Sequence, residues 1–292
     1  MKFTIFTPTY NRARLLLRVY KSLIKQKDRD FEWIIVDDGS TDDTEQVVSS
    51  FMAEHELNIR YIKKINGGKH TAHNLAVKNA AGEWFMCLDS DDMLVDNAIE
   101  ILRKNLECMY PSDCGIIGGK VTLDGKRLSG QITQTGAHYG LYGYCHSCGG
   151  YGEYALLFKS DILRNYLFPE ISGEYFMGEN VVYDGLELDG YTMAVTNEII
   201  QLCEYQEEGL TSKIYQSLFK NPTAYQIYHM QRIDLVISIK ERIRHAIQYQ
   251  TFRRISKKKY YQYRGKHQLL VFLSYIPGIM GEIYYRKRRQ AC

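Results

Sequence analysis

Proline is scarce, five in 292 residues, and no stretch is of low complexity. Both features argue against a disordered chain, which cannot bury enough apolar surface to offset its ordering entropy. No apolar run reaches about 18 residues, so a transmembrane helix is not expected. Seven cysteines are too few for a disulfide scaffold at this length, and free thiols in a reducing, cytoplasmic setting are the expectation. Heptads, a collagen period and internal repeats are missing. Met1–Phe6 leads straight into a strand-like segment, which argues against a secretory signal peptide. The Gly-x-Gly-x-x-Gly turn of a dinucleotide-dependent oxidoreductase is lacking after the first strand, where Pro8-Thr9-Tyr10-Asn11-Arg12 stands instead. No nucleic-acid motif accompanies the basic residues, so nucleic acid is not an expected partner.

What is present is 45% hydrophobic and 24% charged, the composition of an ordinary soluble enzyme. The net charge of +3 hides an asymmetry. From Lys240 onward there are 14 Lys and Arg against two acids, while the preceding residues hold 23 against 32. An acidic body with a basic tail needs a separate account of each part.

The first 120 residues alternate in type. Phe3–Thr7, Phe31–Val36, Ile59–Lys63 and Trp84–Leu88 read as strands. Arg14–Gln26, Thr41–His55 and Lys69–Ala80 read as helices, with Ser40 or Thr41 a plausible N-cap for the second. That rhythm implies a parallel sheet covered on both faces, and such sheets bind ligands beyond the carboxyl ends of their strands. Three strand ends carry polar clusters: Pro8-Thr9-Tyr10-Asn11, Asp37-Asp38-Gly39-Ser40 and Asp89-Ser90-Asp91-Asp92. A parallel sheet brings all three to one edge. Further on, Val121–Gly130 reads as a hairpin around Asp124-Gly125 and Ala155–Phe158 as a buried strand. After about residue 212 the chain is helical, basic and rich in tyrosine.

Clustered carboxylates repel one another unless a cation sits among them. Hard oxygen ligands suit Mg²⁺ or Mn²⁺ shared with a substrate's phosphates, the alternative for Asp89–Asp92 being an acidic helix cap. Asp37-Asp38 could accept hydrogen bonds from a base or ribose, or belong to a capping turn. Asn66-Gly67-Gly68-Lys69 opens a helix whose start favours anions, and Lys69 could add a point charge for a diphosphate. Cys145-His146-Ser147-Cys148 invites a zinc reading, but Cys108 and Cys114 fit poorly as further ligands, so incidental thiols are favoured.

Thr7-Pro8-Thr9-Tyr10-Asn11-Arg12, Val36-Asp37-Asp38-Gly39-Ser40-Thr41-Asp42 and Leu88-Asp89-Ser90-Asp91-Asp92, in this order and spacing, resemble the family 2 inverting glycosyltransferases. Phe168-Pro169-Glu170, Gly173-Glu174-Tyr175-Phe176, Gly178-Glu179-Asn180 and Glu204–Thr211 extend the likeness toward bacterial members that build surface polysaccharides. The resemblance covers roughly residues 1–212. It implies a GT-A fold, a Rossmann-like, mostly parallel α/β sheet with helices on both faces, over 1–212, with 213–292 a basic helical extension. It implies transfer of a sugar, with inversion, from a nucleotide-diphosphate donor, a UDP-sugar by expectation, to a glycan or lipid-linked acceptor. Pro8, Thr9, Tyr10, Asp38, Lys69, His73 and Asp89 would bind the donor. Asp89 and Asp91 would hold Mn²⁺ or Mg²⁺. Glu179 would be the general base, with Glu174 or Asp184 as fallbacks. The base motif reads Glu179-Asn180 rather than Glu-Asp, and His73 stands where many members carry Arg. The missing second carboxylate keeps a non-catalytic nucleotide-sugar-binding protein as the alternative.

In the tail, Arg253-Arg254, Lys257-Lys258-Lys259, Arg264 and Lys266 precede the apolar run Leu269–Met280, and Arg286–Arg289 follows it. Below spanning length and interrupted by Pro277-Gly278, the run fits a helix lying on an anionic membrane surface, at the inner face of the cell membrane. Packing on the catalytic domain or a dimer contact are the competing readings.

Overall fold

A computed structural model describes residues 1–128, 136–147, 152–204, 214–256 and 261–291. The chain divides into two compact units, Met1–Leu167 with Gly190–Gly209, and Phe168–Asp189 with Leu210–Cys292.

The first unit opens with the expected alternation: β1 (Phe3–Thr9), α1 (Ala13–Ile24), β2 (Phe31–Asp37), α2 (Thr44–Ala53), β3 (Ile59–Lys63), α3 (Lys69–Asn79) and β4 (Trp84–Cys87). There follow β5 (Asp92–Leu94), α4 (Ala98–Asn105), β6 (Asp113–Thr122), β7 (His138–Tyr139), α5 (Leu141–Ser147), β8 (Tyr154–Lys159), the short α6 (Ser160–Leu163) and β9 (Thr192–Cys203). The sheet has the order β3-β2-β1-β4-β8-β6-β9-β5, with β7 beside β9. β1 to β4 are mutually parallel where they pair, while β8 runs antiparallel to both β4 and β6. The sheet is therefore mixed: the alternating first third of the chain builds four parallel strands, and β6 also pairs parallel with β9.

The apolar runs explain the four parallel strands. Strands covered on both faces read as continuous hydrophobic stretches. Phe31–Asp37 is buried along its whole length. Leu16, Val19 and Leu23 recur at helical spacing on α1 and pack into the same core as Phe3, Ile5, Trp33 and Met86. Each such side chain contributes roughly 1.5–3 kcal/mol when removed from water. The expected hairpin forms at the end of β6 as far as Leu128, where Lys126 O accepts from Thr122 N and Val121 bridges Arg127, while residues 129 and 130 lie outside the described residues. Ser40 and Thr41 do not cap α2: its N-cap position is Asp43, whose side chain makes no capping bond. Asp42 accepts from Thr44 N at 3.2 Å, while Ser40 Oγ accepts from Asn11 N at 2.9 Å.

The second unit is helical: α7 (Asn180–Leu188), α8 (Ile214–Lys220), α9 (Pro222–Leu235), α10 (Ile239–Ser256), α11 (Gln268–Leu273) and α12 (Tyr275–Ala291). It draws Phe168–Asp189 out of the stretch expected to form a single domain to residue 212. The physical reason is polar. The Glu174 carboxylate accepts from Thr223 N and Ala224 N at 3.0–3.1 Å and caps α9. Asp184 accepts from Arg232 Nε at 2.5 Å. Ile233, Ala246, Tyr249 and Val271 form a small core of their own.

Pro277-Gly278 does not break the terminal helix. The interruption falls at Ser274, and Pro277 sits in the first turn of α12, where a missing N–H goes unneeded. Gly278 N donates instead to Ser274 O at 2.9 Å. A Cβ at Gly278 would fall 2.5 Å from that of Gln250, so glycine here allows α12 to lie close on α10.

Candidate active site

The carboxyl ends of β1, β2 and β4 lie on one edge of the sheet, and their polar clusters meet there. Asn11 ties the first two together: its backbone N–H donates to Ser40 Oγ, and its Oδ1 accepts from Thr41 N at 2.8 Å. These bonds hold Asn11 at φ 51°, a left-handed conformation that asparagine tolerates better than most residues. Arg12 reaches from the first cluster to the third, with Nη1 3.0 Å from Asp91 Oδ2 and 3.3 Å from Ser90 Oγ. Thr9 is buried, and its Oγ1 has no hydrogen-bond partner within the protein. A buried hydroxyl left unpaired is costly, so it is a natural contact for a ligand. Pro8 is half-buried beside it and Tyr10 is exposed.

Asp38 organises the glycine loop. Its Oδ1 accepts from Lys64 Nζ at 2.6 Å and Gly67 N at 2.9 Å, and its Oδ2 from Gly68 N at 2.7 Å. An ionised carboxylate has about four acceptor positions, which leaves one for a further donor. Gly39 permits this approach. It sits at φ +87°, and a Cβ there would fall 3.0 Å from Asn66 N.

The loop delivers Lys69, the first residue of α3, to the third cluster, 2.7 Å from Asp89. Each of the three carboxylates there has its own cation: Asp89 with Lys69, Asp91 with Arg12, Asp92 with Lys120 at 3.0 Å. Burial pushes the Asp89 carboxyl upward, but Lys69, Lys120 and Arg12 outweigh it and hold it below the usual range. Burial wins at Asp92, whose carboxyl is raised although Lys120 opposes the shift.

His73 follows Lys69 by one helical turn on α3. Its ring lies edge-on to Phe6 and Phe85, with centroids 5.7 and 5.2 Å away, and it is buried. Its visible role is packing between α3 and the sheet. Glu179 belongs to the second unit, at the N-terminal end of α7, where it is exposed and accepts from Tyr183 Oη at 3.3 Å. The two fallback bases are otherwise engaged, Glu174 as the cap of α9 and Asp184 with Arg232. Burial pushes the Asp184 carboxyl up to about 7 even so.

Asp89 and Asp91 supply hard oxygen donors at the edge where the glycine loop ends. Among the described residues no cluster of three or more His, Cys, Asp or Glu is poised for a metal. Two carboxylates nevertheless fit Mg²⁺ or Mn²⁺, ions that complete their shell with water and substrate phosphates. Lys69 and Arg12, each about one-third exposed, can turn from these carboxylates to a diphosphate. Cys148 of the zinc reading lies outside the described residues, as do residues 205–211 of the acceptor-side pattern. Sequence reasoning gave no role to Lys64, Arg12 or Lys120. Arg12 and Lys64 adjoin named motifs and were within reach, whereas nothing local marks Lys120.

Residues 4–129 match the model of the family described as glycosyl transferase family 2. An uncharacterized glycosyltransferase of Rickettsia felis is 39% identical over 106 residues, 36% of this chain and 17% of that one. Poly(ribitol-phosphate) beta-N-acetylglucosaminyltransferase TarS of Staphylococcus aureus is 36% identical over 96 residues, 32% of this chain and 17% of that one. The matched stretch is thus a small part of each relative. A crystal structure of a TarS fragment in complex with UDP-GlcNAc aligns over 100% of this chain and 92% of that one, with a TM-score of 0.65 at 18% identity. The mannosyltransferase PcManGT from Pyrobaculum calidifontis, in complex with GDP-Man and Mn²⁺, aligns over 100% and 75% with a TM-score of 0.51 at 17% identity. The fold is therefore that of the GT-A glycosyltransferases. Over residues 4–129, somewhat less than half of its length, the chain is similar to glycosyl transferase family 2.

Proposed function

We propose that the chain transfers one sugar, with inversion, from a nucleotide-diphosphate donor to a glycan or lipid-linked acceptor in surface-polysaccharide synthesis. The donor is a UDP-sugar, in keeping with the UDP-GlcNAc complex of the similar TarS structure. The observation that carries the reading is the meeting of Asn11, Arg12, Asp38, Lys69, Asp89 and Asp91 at one sheet edge. Pro8, Thr9 and Tyr10 line the base, with the unpaired Thr9 hydroxyl as a polar contact, and Asp38 offers its remaining acceptor position to a base or ribose donor. Lys69 faces the diphosphate, and His73 one turn on supports the donor side from behind, packed against Phe6 and Phe85. Mn²⁺ or Mg²⁺, held by Asp89 and Asp91, would offset charge growing on the leaving diphosphate. Glu179 is the general base, taking the proton of the acceptor hydroxyl as that oxygen attacks the anomeric carbon opposite the leaving group. One displacement then gives inversion. The work site is the inner face of the cell membrane, reached through the basic C-terminal region.

The test is a thermal-shift panel of nucleotide sugars with Mn²⁺, with and without chelator, followed by turnover. The right donor raises the transition by mass action. Glu179→Gln keeps that shift and loses turnover by about 100-fold or more. Asp91→Asn loses transfer while staying folded. Wild-type turnover in Glu179→Gln would remove the base assignment. A wild type that binds UDP-sugar yet neither transfers nor hydrolyses it would establish the second reading, a binding protein, toward which Asn180 points.

A further inference from the structure

α11 and α12 carry one uninterrupted apolar stripe that the second unit leaves in water. Leu269, Phe272, Leu273, Ile276, Met280 and Ile283 are each between 50 and 74% exposed. Their spacing of three and four residues places them along one side of the helices. The opposite side of α12 is the one that packs. Gly278 and Gly281 lie against Gln250 and Thr251 of α10, Glu282 pairs with Arg254, and the Tyr285 ring meets Phe252 at 5.5 Å. The helix is therefore held in place by one face while the other is bare. Charge frames the bare face at both ends: Arg264 and Lys266 precede it, Arg286, Lys287 and Arg288 close it, and all five are exposed. From residue 261 to the end Glu282 is the single acid, and it is already paired with Arg254 and Arg286.

We propose that this stripe is a docking surface for an anionic lipid bilayer, on which α11 and α12 lie flat with the six apolar side chains among the acyl chains and the five cations among the headgroups. The inference rests on the membrane-surface reading above and names the face that makes the contact. Length sets the mode: among the described residues no helix is long and apolar enough to cross a membrane, so the contact is interfacial. Charge selects the occupant. If the stripe of a second copy covered it, a parallel pairing would set basic end against the same basic end. An antiparallel pairing would set Arg264 and Lys266 against Arg286–Arg288. Both registers oppose like charges with no free acid to match them, whereas an anionic headgroup layer complements both ends at once.

The test is flotation of the full chain with vesicles of phosphatidylglycerol and phosphatidylcholine, against vesicles of phosphatidylcholine alone. The wild type should float with the anionic vesicles, tenfold or more in excess of the neutral ones, and the excess should shrink in high salt. Phe272→Ser/Ile276→Ser/Met280→Ser should lose the binding. Arg286→Gln/Lys287→Gln/Arg288→Gln should weaken it by about fivefold per charge removed. Circular dichroism and the UDP-induced thermal shift should be unchanged in both variants, which separates lost docking from lost folding. A wild type that stays unbound, or a triple-serine variant that floats as well as the wild type, overturns the proposal. So does a wild-type dimer by light scattering that the triple-serine change converts to monomer, because the stripe is then a protein contact. If flotation fails while UDP still shifts the melting transition, the docking surface falls and the transferase reading stands. If UDP gives no shift while flotation succeeds, the reverse holds.

Discussion

Replacing Asp38 by Asn is a sharp test of the site, because it keeps the shape and removes the charge. In the native protein Oδ1 accepts from Lys64 and Gly67 N, and Oδ2 accepts from Gly68 N. An asparagine has one acceptor oxygen. If it takes the Oδ1 position, its amide N–H groups face the Gly68 N–H, and that donor is left unpaired at a cost of about 1–3 kcal/mol. Lys64 also loses a charge-assisted bond, about 1–2 kcal/mol more than a neutral one would return. The sum is about 3 kcal/mol. For a protein of this size each kcal/mol moves Tm by roughly 2–4 °C, so a drop of about 6–12 °C is expected by calorimetry. The loop carries Lys69, so the UDP-induced thermal shift should fall with it. A variant melting within a degree of the wild type and responding normally to UDP would show that Asp38 does not organise the loop, and the account of the donor site would fail at its centre.

Other consequences concern the second unit. Glu174→Gln should lower stability in urea by about 2 kcal/mol through loss of the charged cap on α9, and leave UDP binding unchanged. Arg232→Met should destabilise by about 3–5 kcal/mol because it strips the partner from a buried carboxylate. The Asp184 carboxyl is already raised to about 7 by burial, and losing Arg232 raises it further. A raised folded value gives stability that is lost as pH climbs through it. The deficit of Arg232→Met against wild type should therefore widen above pH 7, and a deficit constant from pH 6 to 9 would refute this. The Nδ1 atoms of His229 and His245 are 2.8 Å apart, a contact that needs one neutral ring as acceptor. Burial holds both below the ordinary histidine value, His245 at about 4. The unfolded chain binds these protons first, so this pair costs stability as pH falls from about 6.5 toward 4. His245→Gln should flatten the wild-type decline in urea midpoint between pH 7 and 5, and an unchanged slope would count against it.

The strand–helix rhythm of the first third was legible because it depends on local facts. A continuous apolar run such as Phe31–Val36 can be satisfied only by a strand covered on both faces, and the polar cluster behind it marks where cover ends. The same logic reached the convergence of the three clusters, since parallel strands must end together. The half of the sheet where parallel and antiparallel pairings mix was harder. β9 spans Thr192–Cys203 and pairs parallel with β6 and antiparallel with β5 and β7, yet Thr196, Asn197 and Glu198 break its alternation, so no local pattern marks it as one long strand. Pro277 shows the same limit in a helix, because a proline that breaks an interior turn is harmless in a first one.

Periodicity and order of residues thus determined the elements and the edge at which they end, because those follow from which side chains can leave water and how far apart they recur. The pairing of charges was decided only by the fold. Arg12 with Asp91, Lys64 with Asp38 and Lys120 with Asp92 join residues 26 to 79 positions apart. A carboxylate's partner depends on which distant segment passes within about 3 Å, and no local pattern records that distance.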